Sequence, residues 1–147
     1  MSLLQTLNKD LIQAMKAKDH ETLKTVRMLK SSVTNEQIKL GHDLTPAEEL
    51  SVLSTEMKQR KESLAEFQKA GRDDLVAETL GEIDVVQQYM PKQLSETEVS
   101  DLVDQTISEV GATSKADFGK VMKVLMPKVK GQADGNLVKH LVQTKLA

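Results

Sequence analysis

Seven runs of apolar residues recur at spacings of three or four along this chain, and most are bracketed by a helix start signal and a helix stop. That pattern leaves little room for anything but an all-α fold. The clearest start is Thr45-Pro46-Ala47-Glu48. Thr45 can cap, Pro46 occupies the first helical position where its missing N–H costs nothing, and Glu48 closes a capping box. Leu50, Leu53, Met57, Leu64 and Phe67 carry the stripe to Gly71. A helix of about 25 residues spans roughly 38 Å. The stripe lapses at Arg60-Lys61, which predicts a half-exposed middle.

The other helices are punctuated in the same way. Ser2 with Gln5 opens one that carries Leu4, Leu7, Leu11 and Met15 and ends at Lys18. Asp19 caps the next, with Leu23, Val26, Leu29 and Val33, which stops at Gly41. Val76, Leu80, Ile83, Val86 and Met90 form a fourth stripe, ended by Pro91. Proline biases Met90 away from helix, so the boundary between two domains is predicted there, with residues 1–90 as a four-helix domain and 91–147 as a three-helix one. Ser95 with Glu98 opens the second domain, whose first helix carries Val99, Val103, Ile107 and Val110 up to Gly111. Ser114 is expected to cap a short helix through Phe118, Met122 and Leu125 that Pro127 ends. A loop over residues 128–133 follows, and Asp134 caps the last helix, with Leu137, Leu141 and Leu146. There is no convincing strand, internal repeat or low-complexity segment.

Composition agrees with helix. The chain has two Phe, one Tyr and no Trp, so its cores must be built from Leu, Val, Ile, Met and Ala. At 147 residues, two small cores would each be modest in stability. Without Cys there is neither a disulfide framework nor thiolate chemistry. No stretch approaches the roughly 18 apolar residues of a membrane span, and Met1-Ser2-Leu3-Leu4-Gln5 lacks the character of a signal peptide. The default compartment is therefore the cytoplasm or an organelle matrix, and a cytoplasmic protein is the expectation.

Catalytic chemistry is not legible. His20, His42 and His140 are far apart and lack metal-ligand spacing. No Gly-rich phosphate loop follows a strand, the serines sit mostly at caps, and Tyr89 beside Pro91 reads as a packing residue at the domain junction. No cofactor is expected. Two basic clusters remain. In Lys58-Gln59-Arg60-Lys61, the neighbouring acids suggest self-neutralisation, with Arg60 pairing Glu56 and Lys58 pairing Glu62. The second is Lys115, Lys120, Lys123, Lys128, Lys130 and Lys139. It belongs to a segment, residues 115–147, with seven Lys against two Asp, whereas residues 1–114 carry thirteen Lys and Arg against twenty acids. Such asymmetry points to a polyanionic partner. Lysines act as point charges that contact phosphate and do not read bases. With only Phe118 as a nearby aromatic, stacking on single strands is disfavoured, and a structured RNA backbone suits the surface better. Lys128 and Lys130 are expected in the loop, and Gly131 can bring the backbone close to a ligand.

Several blocks in order then carry a resemblance. Gly119-Lys120-Val121-Met122-Lys123, Lys130-Gly131-Gln132-Ala133-Asp134 and Leu137-Val138 resemble the tail domain of the GatB subunit of the tRNA-dependent amidotransferase. With Arg27-Met28-Leu29-Lys30, Lys58-Gln59-Arg60-Lys61, Glu66-Phe67-Gln68-Lys69-Ala70-Gly71-Arg72 and Tyr89-Met90-Pro91-Lys92-Gln93-Leu94, the whole chain resembles the YqeY family. The resemblance implies a helical N-terminal domain joined to a three-helix, GatB-tail-like domain that helps hold tRNA. It implies no catalytic residue here. Carbon–nitrogen ligation with glutamine as amide donor belongs to a GatB catalytic domain and an amidase subunit that have no counterpart in this chain. The GatB tail runs directly from its Val-Met-Lys helix into Lys-Gly-x-Ala, whereas Val124–Val129 intervenes here. The functional expectation is a noncatalytic module that binds tRNA or a tRNA aminoacylation or amidation enzyme, with no membrane partner. The alternatives are an accessory to an amidotransferase, or a protein adaptor that works through the acidic N-terminal helices. The oligomeric state stays open.

Overall fold

The computed structural model describes residues 1–147, and they form seven α-helices and no strand. The chain divides into two units, Met1–Met90 and Pro91–Ala147. The first contains α1 (Leu3–Lys16), α2 (His20–Leu40), α3 (Pro46–Lys69) and α4 (Asp73–Gln87); the second contains α5 (Glu96–Val110), α6 (Phe118–Val129) and α7 (Gly135–Lys145).

Local chemistry sets most helix starts. At α1, the Ser2 hydroxyl accepts from the Gln5 N–H at 3.2 Å while the Gln5 amide oxygen accepts from the Ser2 N–H at 2.9 Å. Thr45 and Glu48 make the same reciprocal pair at α3, behind Pro46. Two of the four orphan N–H groups of each helix start are thereby satisfied. Gly41 ends α2 with φ +76°, a left-handed conformation in which its N–H reaches the Gln37 carbonyl. The Glu49 carboxylate of α3 accepts from the Leu3 N–H at 2.5 Å, which ties the start of α1 to α3 and places an anion at a helix N-terminus.

Packing does the rest. The core of the first unit is Leu7 from α1, Val26, Leu29 and Val33 from α2, Leu53 and Met57 from α3, and Val85 and Val86 from α4. Tyr89 packs on this core and donates its hydroxyl hydrogen to Asp10 Oδ2 at 2.5 Å. Burial, first, and that hydrogen bond keep the phenol protonated well above its ordinary range. The core of the second unit is Val99, Val103, Val121, Leu125, Val129, Val138, Val142 and Leu146, contributed by all three of its helices and the residue that caps α7.

In the second unit two helix boundaries differ from those expected, and in the first α4 stops at Gln87, short of Met90. Pro127 does not end α6, which continues to Val129. Pro127 lies on the exposed side, where the Lys123 carbonyl that loses its N–H partner can meet water. One more turn buries Val129 to 1% exposure, a gain of about 1.5–3 kcal/mol that outweighs one solvated hydrogen bond of about 0.5–1.5 kcal/mol. Lys128 is therefore helical and does not belong to the loop. Ser114 does not cap α6 either. A short 3-10 turn, Lys115–Asp117, intervenes, and Asp117 stands at the N-cap. The Asp117 carboxylate accepts the Thr113 N–H at 2.9 Å, and that bond, before any other cause, holds it below its ordinary pKa.

Candidate nucleic-acid interface

The second unit positions the lysines by helical period. Val121, Leu125 and Val129 are each four residues apart and fully buried, so they form the inner face of α6. Lys120 and Lys123 fall opposite that stripe and are exposed. Lys115 sits in the 3-10 turn that leads into α6, Lys128 in its last turn, Lys130 at its C-cap and Lys139 on α7, all exposed.

These lysines are not equivalent. Lys128 Nζ lies 2.9 Å from Glu109 of α5, and Lys145 Nζ lies 2.8 Å from Asp104 of the same helix. Lys115, Lys120, Lys123 and Lys139 have no ion pair within 4 Å among the described residues, although Asp117 feels the charge of Lys120. The expectation of a basic segment with few acids close by is thus corrected by α5. That helix carries Glu96, Glu98, Asp101, Asp104 and Glu109 with no Lys or Arg, and it packs on both α6 and α7. Over residues 91–147 there are eight Lys and seven acids, so the unit is close to neutral, and apart from Lys92 its lysines lie on α6, its C-cap, α7 and the turn before α6. Sequence reading missed this because the acids precede the basic segment along the chain and meet it only when the helices pack.

The loop at Gly131 is also better described as a turn than as a cradle. Gly131 has φ +76°, and its carbonyl accepts from Gln93 Nε2 at 2.7 Å. The Leu94 N–H reaches the Gln132 carbonyl at 2.8 Å, and the Gln132 and Ala133 N–H groups both go to the Val129 carbonyl. At the start of α7, Asp134 Oδ1 accepts the Asn136 N–H at 2.7 Å. The Leu94, Gln132, Ala133 and Asn136 N–H groups are therefore used within the unit and are not offered to a phosphate.

The first unit holds a charged cluster that the sequence signalled only in part. Around Arg60 the middle of α3 is exposed, as expected, at Lys58, Gln59, Lys61 and Glu62, but Arg60 itself is only 6% exposed. Its Nη1 meets Glu56 Oε2 at 2.5 Å, as the i,i+4 spacing predicts, and its Nε lies 3.8 Å from Glu82 of α4 without a hydrogen bond. Ser32 of α2 donates to Glu56 at 2.6 Å. The cluster joins α2, α3 and α4. The expected Lys58–Glu62 pair is not among the ion pairs. No motif flags Glu82 as a partner; the only available signal was a basic residue on the line of the apolar stripe.

With this architecture in view, the chain falls into a class of small two-unit helical proteins with a lysine-bearing C-terminal unit. Residues 4–146 match the family described as Yqey-like protein, and the chain belongs to that family. It is 28% identical over 144 residues to "Altered inheritance of mitochondria protein 41, mitochondrial" of Pyrenophora tritici-repentis, covering 96% of this chain and 79% of the relative. The protein of the same name in Saccharomyces cerevisiae is 32% identical over 129 residues, covering 87% of this chain and 68% of the relative. The one in Lachancea thermotolerans is 36% identical over 107 residues, covering 71% and 57%. The names of these relatives carry a mitochondrial location, which overturns the expectation of a cytoplasmic protein. The absence of Cys could not have separated the two, because both the cytoplasm and an organelle matrix keep thiols reduced. No helix is long and apolar enough to cross a membrane.

Proposed function

We propose that this protein is a noncatalytic module that binds the phosphate backbone of tRNA, alone or within a tRNA-handling complex, through α6 and α7. The observation that carries the reading is Lys120 and Lys123 on the outer face of α6, exposed and without a carboxylate within 4 Å. Lys115 on the turn before α6 and Lys139 on α7 are exposed as well, and Lys130 stands at the end of α6. The likeness of residues 119–138 to the GatB tail supports tRNA as the polyanion. The relatives' names make the mitochondrion the setting in which to look for it.

Phosphate contacts release counterions, so affinity should fall steeply with salt. A filter-binding titration with unfractionated tRNA at two salt concentrations tests this. Tight binding at low salt that weakens about in proportion to the number of lysines engaged is expected; no binding at low salt overturns the reading. Replacing Lys120, Lys123 and Lys130 together by Ala should weaken binding severalfold or more.

Support for an amidotransferase would be a role played through the same surface. With no catalytic constellation legible in the chain, purified protein given glutamine, ATP and misacylated tRNA is expected to show no turnover. The adaptor reading rests on the acidic N-terminal helices and the half-exposed middle of α3, where Lys58, Gln59, Lys61 and Glu62 are exposed and Arg60 itself is buried and paired.

A further inference from the structure

The acidic helix α5 limits how much of the lysine charge is available. Asp104 and Glu109 lie on opposite flanks of that helix, because five residues of α-helix turn through about 140° at 3.6 residues per turn. Each reaches a different neighbour: Asp104 meets Lys145 of α7 and Glu109 meets Lys128 of α6. Both carboxylates remain partly exposed, as do both lysines. These are therefore surface pairs, worth little to stability, but each cancels one positive charge where a phosphate would otherwise be met. Asp101, also on α5 and exposed, makes no ion pair within 4 Å.

Resting on the reading of α6 and α7 as a phosphate-binding surface, we propose that Asp104 and Glu109 act as built-in attenuators. They hold Lys145 and Lys128 out of contact, so that the RNA backbone is met by Lys115, Lys120, Lys123 and Lys139. The partner this suits is a folded, double-helical RNA touched at a few phosphates. Phe118, the one aromatic of the second unit, is half-buried against its core, so this unit offers no fully exposed aromatic as a stacking platform for single-stranded bases.

The test uses the full chain with unfractionated tRNA and, in parallel, poly-uridylate. Asp104→Asn with Glu109→Gln should raise tRNA affinity severalfold and steepen the salt dependence by nearly one unit of log–log slope for each lysine released. Asp101→Asn should change the slope far less. Lys128→Ala should be nearly silent in the wild-type background and should cancel much of the gain in the Glu109→Gln background. Poly-uridylate should bind more weakly than tRNA at equal salt. An unchanged slope in the double variant, or an equal gain from Asp101→Asn, overturns the attenuator while leaving tRNA binding intact. Equal or tighter binding of poly-uridylate overturns the choice of partner. Absence of tRNA binding by the wild type at low salt overturns the underlying surface instead. Circular dichroism of each variant separates these outcomes from loss of fold.

Discussion

The two units treat charge in opposite ways. The first buries an arginine: Arg60 sits between Glu56 and Glu82 at the meeting of three helices, with Nε lacking a hydrogen-bond acceptor. The second keeps its charges outside a core whose buried apolar residues are Val and Leu, and pairs them loosely along the edges of α5. Buried ion pairs add little net stability against an apolar alternative, because desolvation offsets the attraction. Their geometric demands instead restrict how helices can slide past one another. Exposed pairs impose no such restriction and set instead how much charge the surface offers. One unit thus spends its charge on internal position and the other holds it at the surface.

The sharpest way to break that contrast is to remove the buried cation. Arg60→Ala should destabilise the first unit by about 3–5 kcal/mol, because Glu56 and Glu82 lose their counterion. Tyr89, the one tyrosine of the chain and part of that unit, reports it by fluorescence during urea unfolding. A loss below about 1 kcal/mol would place Arg60 among surface charges. In the second unit the largest cost should come from packing. Leu125→Ala, at a fully buried position, should cost about 2–5 kcal/mol in urea unfolding followed by circular dichroism.

Smaller effects sharpen the comparison. Gly131→Ala should cost roughly 1–2 kcal/mol, because a side chain is strained at φ +76°, yet it should leave tRNA affinity unchanged if the glycine serves the turn. Thr45→Ala should cost about 1 kcal/mol through the lost cap of α3. The smallest effect concerns acid. Asp117 is held below its ordinary value of 3.8 by the Thr113 N–H, so its contribution to stability is complete above that value and is lost as pH falls through its lower folded pKa. Asp117→Asn should flatten the acid limb of urea midpoints below about pH 4. Asp19, lowered first by the side-chain bond with Thr22 and then by the Thr22 N–H, and Glu48, lowered first by the Thr45 N–H, give the first unit the same dependence at its own caps.

Much of the fold was legible because the interactions that start and stop helices are local. Ser2 with Gln5, Thr45 with Glu48, Asp19 with Thr22 and Gly41 with Gln37 are all within four residues of one another, and the apolar period of each stripe is a property of one segment. The all-α class and the seven helices follow from those. The candidate site was legible only as a list of lysines. Their positions along α6 could be read from the period, but their freedom could not. Lys128 looked available until Glu109 came to it, and Gly131 looked like an approach to a ligand until Gln93 took its carbonyl.

By itself, then, the sequence determined which stretches are helical, where most of them begin, and which face of each is apolar, since these depend on neighbours three or four residues away. Only the tertiary structure decided that Arg60 is buried against Glu82, that α6 runs past Pro127 to bury Val129, and which lysines stay without a partner. Those outcomes depend on what another helix brings within about 4 Å. The energy of such a contact belongs to the packed pair and is written in neither segment alone.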